Sequence, residues 1–140
     1  MRKIWLGVAT AVAFLGVSLE TTRPTSAKGP GDAKEALVFS EDLPDVPGKH
    51  MTAVIVDYPP GGKSPRHRHV GDVFAFVISG AIRSENSATG AVRVYHRGET
   101  FFEPAGSVHL ISENASTSEP ARFLATFVSD KGAKLTMVEH

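Results

Sequence analysis

Cysteine is absent from all 140 residues, which excludes disulfides and a lipid-modified cysteine anchor. A charge surplus is missing as well: 15 Lys+Arg balance 15 Asp+Glu. Without a basic block or basic excess, nucleic acid is not an expected partner. Convincing helical periodicity is lacking beyond the N-terminal segment, so a helix bundle is excluded. The one long apolar run, Ile4 to Val17, is shorter than the ~20 residues a membrane span needs.

That run is preceded by Arg2 and Lys3 and followed by a polar stretch ending Thr25-Ser26-Ala27. A short positive region, an apolar centre and small residues at the end are the pattern of a secretory signal peptide. The expected signal is residues 1–27, cut after Ala27, with an uncleaved N-terminal anchor as the alternative. Its removal takes away Arg2, Lys3, Arg23 and Glu20 and leaves a net charge of −2. The expected destination is outside the cytoplasm, in the periplasm, with no membrane attachment after cleavage.

Residues 28–35, KGPGDAKE, read as a flexible lead-in. Residues 36–140 are a length suited to one domain with one core. Short apolar strands are expected at Ala36–Phe39, His50–Tyr58, Val73–Ile78, Ala81–Ser84, Ala91–His96, Thr100–Glu103, Val108–Ser112, Ala121–Val128 and Leu135–Val138. Gly, Pro and polar turns separate them, among them EDLPDVPGK before His50 and a polar hairpin over Glu85–Gly90. Many short strands at regular spacing predict an all-β sandwich or barrel.

Val73–Ile78 is apolar at every position, with Val73, Ala75 and Val77 on one face and Phe74, Phe76 and Ile78 on the other. Such a strand is expected to be buried on both faces. With the first set inside the barrel, the second predicts a homodimer interface, unless the Lys28–Phe39 segment folds over it. Phe74, Phe76, Phe101, Phe102 and Phe123 are expected to be core residues, with the lining of an apolar substrate pocket as the alternative.

Two histidines, His67 and His69, open the stretch leading into that strand. Side chains at i and i+2 of a strand share a face, so both imidazoles can point at one ion. A third histidine, His109, follows the Pro104-Ala105-Gly106 turn.

Gly61, five residues, His67-Arg68-His69 and a strand closing on Gly80 resemble the first cupin motif, G-x5-H-x-H-x3-4-E-x6-G. Gly98, five residues, Pro104, Gly106 and His109 resemble the second, G-x5-P-x-G-x2-H-x3-N. Two departures stand out. The motif glutamate falls on Val73, and the closing asparagine comes one residue late, at Asn114. Asp72 is adjacent to the vacant position, but the pleat points it to the other face unless Gly71 sits in a bulge.

The resemblance implies a single-domain, jelly-roll-like cupin β-barrel holding one divalent metal ion on His67, His69 and His109. Fe, Mn, Zn, Ni and Cu all occur in such proteins, and imidazole ligands do not choose among them. Three neutral imidazoles with no glutamate leave the ion its full charge and open positions, favouring an anionic or enolate-like ligand. The implied function is a metal-dependent enzyme on a small-molecule substrate, with an oxidoreductase of the dioxygenase kind admissible. The alternative is a non-enzymatic protein binding a small anion or carbohydrate.

Glu103, just before Pro104, is the candidate catalytic residue. It would act as acid or base, orient a ligand histidine or supply the missing carboxylate. The plainer alternative is a rim carboxylate paired with an arginine. For His67 and His69 the plainer alternative is a surface pair beside arginines.

Overall fold

The computed structural model describes residues 31–139. The expected signal at 1–27 and the start of the expected lead-in lie outside them. Among the described residues the regular structure is all β, in ten strands. These are β1 (Lys34–Asp42), β2 (Lys49–Tyr58), β3 (His67–His69), β4 (Asp72–Ser79) and β5 (Ala81–Asn86). The others are β6 (Gly90–His96), β7 (Thr100–Glu103), β8 (Val108–Asn114), β9 (Ala121–Asp130) and β10 (Thr136–Val138).

They form two five-stranded sheets, β1-β2-β9-β4-β7 and β10-β3-β8-β5-β6, with every strand pair antiparallel. The chain changes sheet between β4 and β5 at Gly80. There φ is +70°, and a Cβ would lie 2.6 Å from the Pro120 carbonyl oxygen. Only glycine fits so close a backbone crossing in the left-handed region.

Alternation on the inner faces builds the core. Val73, Ala75 and Val77 of β4 pack with Val56 and Tyr58 of β2, Ile82 of β5, Phe101 of β7, and Phe123 and Phe127 of β9. Aromatic contacts knit it together, with Phe101 and Phe123 ring centroids 6.0 Å apart.

Several expectations need correction. The outer face of β4 is open in the single chain: Phe74, Phe76 and Ile78 are 46%, 39% and 36% exposed. Within one chain the second sheet covers only one side of β4, so burial of the other face needs a second chain. Phe102 is also exposed, since its register partner is Phe74 and both point outward. The strand starting at Lys34 takes in the end of the expected lead-in and does not fold over that face. It extends the sheet as an edge beside β2, with all nine of its residues exposed.

The expected loop at EDLPDVPGK is narrower, because Glu41 and Asp42 finish β1 and Lys49 begins β2. Likewise β5 runs on to Asn86, past the expected start of the polar hairpin at Glu85.

Candidate metal centre

β3 holds three residues and places both its histidines inside, with His67 and His69 each 7% exposed. Arg68 between them points outward, where Nε and Nη2 donate to Glu139 Oε1 at 2.9 and 2.7 Å. The surface-pair alternative is thereby excluded. On the other side of β3, His67 pairs in register with His109 of β8, which is 2% exposed. The turn before β8 is tied to β3 through Gly106 N–H, which donates to the His69 carbonyl at 2.8 Å.

One ligand atom from each of His67, His69 and His109 lies within 4.8 Å of the others. Nδ1 of His67 donates to the Pro65 carbonyl at 2.7 Å, leaving Nε2 as the lone-pair nitrogen. Nδ1 of His69 faces the Thr136 hydroxyl at 3.2 Å and the Leu135 carbonyl at 3.4 Å. The two Nε2 atoms stand 3.0 Å apart. Ligand nitrogens about 2.0–2.1 Å from one ion are separated by about 2.9 Å at right angles and about 3.3 Å in a tetrahedron. The His67–His69 pair therefore matches two ligands of one first-row divalent ion, and His109, within 4.8 Å of both, is the third donor near it. Burial lowers the pKa of His67 and takes that of His69 down to about 4, so both rings are neutral at pH 7.

Both nitrogens of His109 are engaged. Nε2 lies 2.8 Å from the Ser84 hydroxyl, and Nδ1 lies 3.1 Å from Glu103 Oε1. Glu103 is 3% exposed, and its Oε2 accepts from Asn86 Nδ2 at 3.1 Å and lies 4.0 Å from His69 Nε2. Burial alone would raise the Glu103 pKa. The His109 hydrogen bond, the nearby imidazoles and Asn86 outweigh burial, and the carboxyl sits below its usual range. This is no rim carboxylate paired with an arginine.

Val73 is 1% exposed and lines the same cavity as the three histidines, so the motif glutamate position does face inward. Asp72 points out and accepts from Ala105 N–H at 2.8 Å. Gly71 makes no bulge that would turn Asp72 inward. Its Cα packs so close to the Val128 carbonyl of β9 that any side chain would collide.

The late asparagine is also explained. Between Ile111, opposite Glu85, and His109, opposite Asn86, β8 carries one extra residue, Leu110. That bulge lets His109, Ser112 and Asn114 all face inward despite their odd spacing. The Asn114 amide then donates to the Pro59 and Glu119 carbonyls at 3.0 and 2.7 Å, tying two loops together.

The histidines and Glu103 line one end of a cavity of about 170 Å³. Val54, Val56, Val73, Phe123 and Phe127 supply apolar walls, and among the described residues no lysine or arginine lines it. A separate polar group in the lining is Tyr58, whose hydroxyl is 2.7 Å from that of Ser64 and 2.8 Å from that of Ser112. Ser84, Asn86, Tyr58 and Ser112 were not legible as site residues. Their signal is alternation: in Ile82, Ser84 and Asn86 a polar pair occupies inward positions of β5.

The cupin domain pattern matches residues 54–127, more than half of the chain. The chain belongs to the cupin family. It is 32% identical over 116 residues to the germin-like protein 5-1 of Oryza sativa subsp. japonica, covering 76% of this cupin and 50% of that protein. This cupin thus spans about half the length of that relative. Among solved structures, a Klebsiella pneumoniae protein with a double-stranded β-helix domain superposes with a TM-score of 0.61 at 22% identity, covering 84% of this chain and 90% of that one. A mutant of Bacillus subtilis oxalate decarboxylase gives a TM-score of 0.53 at 25% identity, covering 63% of this chain and 23% of the other.

Proposed function

We propose that this cupin holds one divalent metal ion on His67, His69 and His109 and acts as a metal-dependent enzyme on a small molecule. The observation that carries the reading is the 3.0 Å approach of the two Nε2 atoms. Each ring is held from behind by backbone or hydroxyl oxygens, in a wall that opens on a cavity. Burial keeps both rings neutral, and the His69 tautomer that donates Nδ1–H to the Leu135 carbonyl leaves both Nε2 lone pairs facing one point, where a cation can sit. When bound, the ion supplies Lewis acidity and open positions for a ligand.

The cavity favours a substrate with one anionic or chelating head and a small apolar body. Its walls are mainly hydrocarbon, and with no lysine or arginine lining it among the described residues, the ion would be the strong anchor for an anion. The name of oxalate decarboxylase, a protein of related fold, fits a small carboxylate as the head. An oxidoreductase is one admissible form of that metal-dependent enzyme, and plain binding of a small anion or carbohydrate is the alternative. Elemental analysis of protein from its native compartment, followed by turnover assays on small carboxylic acids in that metal, separates the two. Turnover dependent on the native metal supports the enzyme. Tight binding without turnover across the panel supports the binding protein.

Export to the periplasm and dimerisation belong to the same proposal. The outer face of the β1-β2-β9-β4-β7 sheet carries apolar rows in register. One is Phe39-Ala53-Thr126-Phe74-Phe102 and the next is Ala36-Ile55-Leu124-Phe76-Thr100. They are bordered at one end by the Asp57–Arg122 pair at 2.6 Å and at the other by Glu41 and Asp72. An apolar centre with a polar rim is how protein interfaces are built. Five strands at ~4.8 Å span about 24 Å, on the scale of the ~800 Å² that each partner of a standard interface buries. A second copy of this self-complementary face is the occupant it fits.

A further inference from the structure

Tyr58 stands on the inner face of β2, 1% exposed, with its hydroxyl between those of Ser64 and Ser112 at 2.7 and 2.8 Å. All three residues line the cavity that the histidines line. Ser112 is also buried, at 5% exposure. Two ties hold the group in place. Ser64 N–H donates to the Ser112 carbonyl at 2.9 Å, and the Tyr58 ring packs on Phe123 with centroids 5.8 Å apart.

Counting protons shows what the group offers. Three hydroxyls carry three protons, and two hydrogen bonds join them. Whichever oxygen donates in each bond, one proton is left over. Among the described residues, none of the three hydroxyls has a partner outside the cluster. Burial raises the Tyr58 pKa against the pull of the two serine hydrogen bonds, so the phenol keeps its proton at pH 7. A buried donor without an acceptor is costly, and the space beside this one is the cavity. Water can fill that place, and a ligand atom that displaces it must make the same bond to bind well.

The strand register sets the distance from the histidines. Ser112 is the next inward side chain after His109 on β8, beyond the bulge at Leu110. Successive inward positions of a strand are about 7 Å apart. Ser84, opposite Ser112 in the ladder, also contacts His109 Nε2. One small molecule therefore reaches both the histidines and the hydroxyls. The hydroxyls are neutral, and Glu35, an exposed carboxylate bordering the cavity from β1, disfavours a second anionic group there.

Resting on the metal reading above, we infer that Tyr58, Ser64 and Ser112 form a second subsite in the cavity, a neutral hydrogen-bond donor for an uncharged oxygen on the tail of a substrate whose anionic head the ion holds. The substrate class narrows to small carboxylates that carry a hydroxyl or carbonyl oxygen away from the carboxylate.

The experiment is equilibrium titration of the Co²⁺-loaded protein with propanoate, butanoate, 3-hydroxypropanoate and 4-hydroxybutanoate, followed by the visible Co²⁺ absorption spectrum. Wild type is compared with Tyr58→Phe/Ser64→Ala/Ser112→Ala, which removes the three hydroxyls together. Deleting every member of a buried polar cluster leaves no group orphaned, so this variant should fold. In wild type, the hydroxylated acid of at least one pair is expected to bind about fivefold more tightly than its parent, as one good hydrogen bond gives, and the preference should fall to within about twofold in the triple variant. The wild-type comparison stands whether or not the variant folds. No preference in wild type would overturn the inference while leaving the metal site standing. So would a preference that survives in the folded triple variant, because it would then belong to the ion itself. A Co²⁺ spectrum that fails to develop, or that none of the four acids changes, would overturn the metal reading beneath it.

Discussion

The Ser84 hydroxyl lies 2.8 Å from Nε2 of His109, and the two side chains come from adjacent strands, β5 and β8. With Glu103 on Nδ1, this contact fixes the plane of the imidazole. Groups of this kind are worth about 10–100-fold in metal affinity. Ser84→Ala is expected to weaken Zn²⁺ binding by roughly that factor, with a stability loss of only about 1 kcal/mol. Competition against a chromophoric chelator measures the first, and urea unfolding of the metal-free protein measures the second.

Acid should destabilise the metal-free protein through His67 and His69. Each ring protonates at about 6.5 in the unfolded chain, whereas burial lowers the folded-state value, to about 4 for His69. Between those values the unfolded chain binds more protons, so the contribution is complete above pH 6.5 and is lost as pH falls towards 4. Glu103, also held below its usual range, acts in the same direction at the acid end. For His69 the loss is on the order of 3 kcal/mol. Urea midpoints at pH 7.5, 5.5 and 4.5 should fall in that order, and His69→Gln should flatten the dependence.

Asn114 should matter to the fold and not to the ion. Its side chain donates to the Pro59 and Glu119 carbonyls and accepts from Ser116 N–H at 2.9 Å. Truncation leaves these groups without a partner at a residue 5% exposed, a cost of about 2–4 kcal/mol. Thermal unfolding of Asn114→Ala should show that loss, while the folded variant retains metal affinity within about threefold, since Asn114 makes no contact with the histidines.

The outer sheet face gives a separate prediction. Phe76, 39% exposed in the single chain, lies in the middle of the apolar rows. Phe76→Glu should place a charge at the interface centre and convert a dimer to a monomer with its metal content intact. Light scattering coupled to size exclusion reads the mass. A monomeric wild type would contradict the proposed assembly.

Much of the barrel was legible because its signals are local. Alternation gave the inner face of β4 from Val73 to Val77, and the i, i+2 rule put His67 and His69 together. Non-local features were not legible. The extra residue at Leu110 is visible only once β8 is set against β5. Glu103 became more than a carboxylate near a turn only when the fold set it 3.1 Å from His109 Nδ1. For Phe74 and Phe76 the apolar pattern signals burial but not by what, since a single chain has nothing to set against the second face.

The central claim is that His67, His69 and His109 share one ion. Its most direct test is metal content by mass spectrometry of the wild type and of His67→Ala, His69→Ala and His109→Ala, each purified from its native compartment. Far-ultraviolet circular dichroism on the same samples confirms that each is folded. The account predicts one divalent ion per chain in the wild type and its loss from every folded variant. A wild type that carries no metal, or folded variants that keep it, would contradict the account.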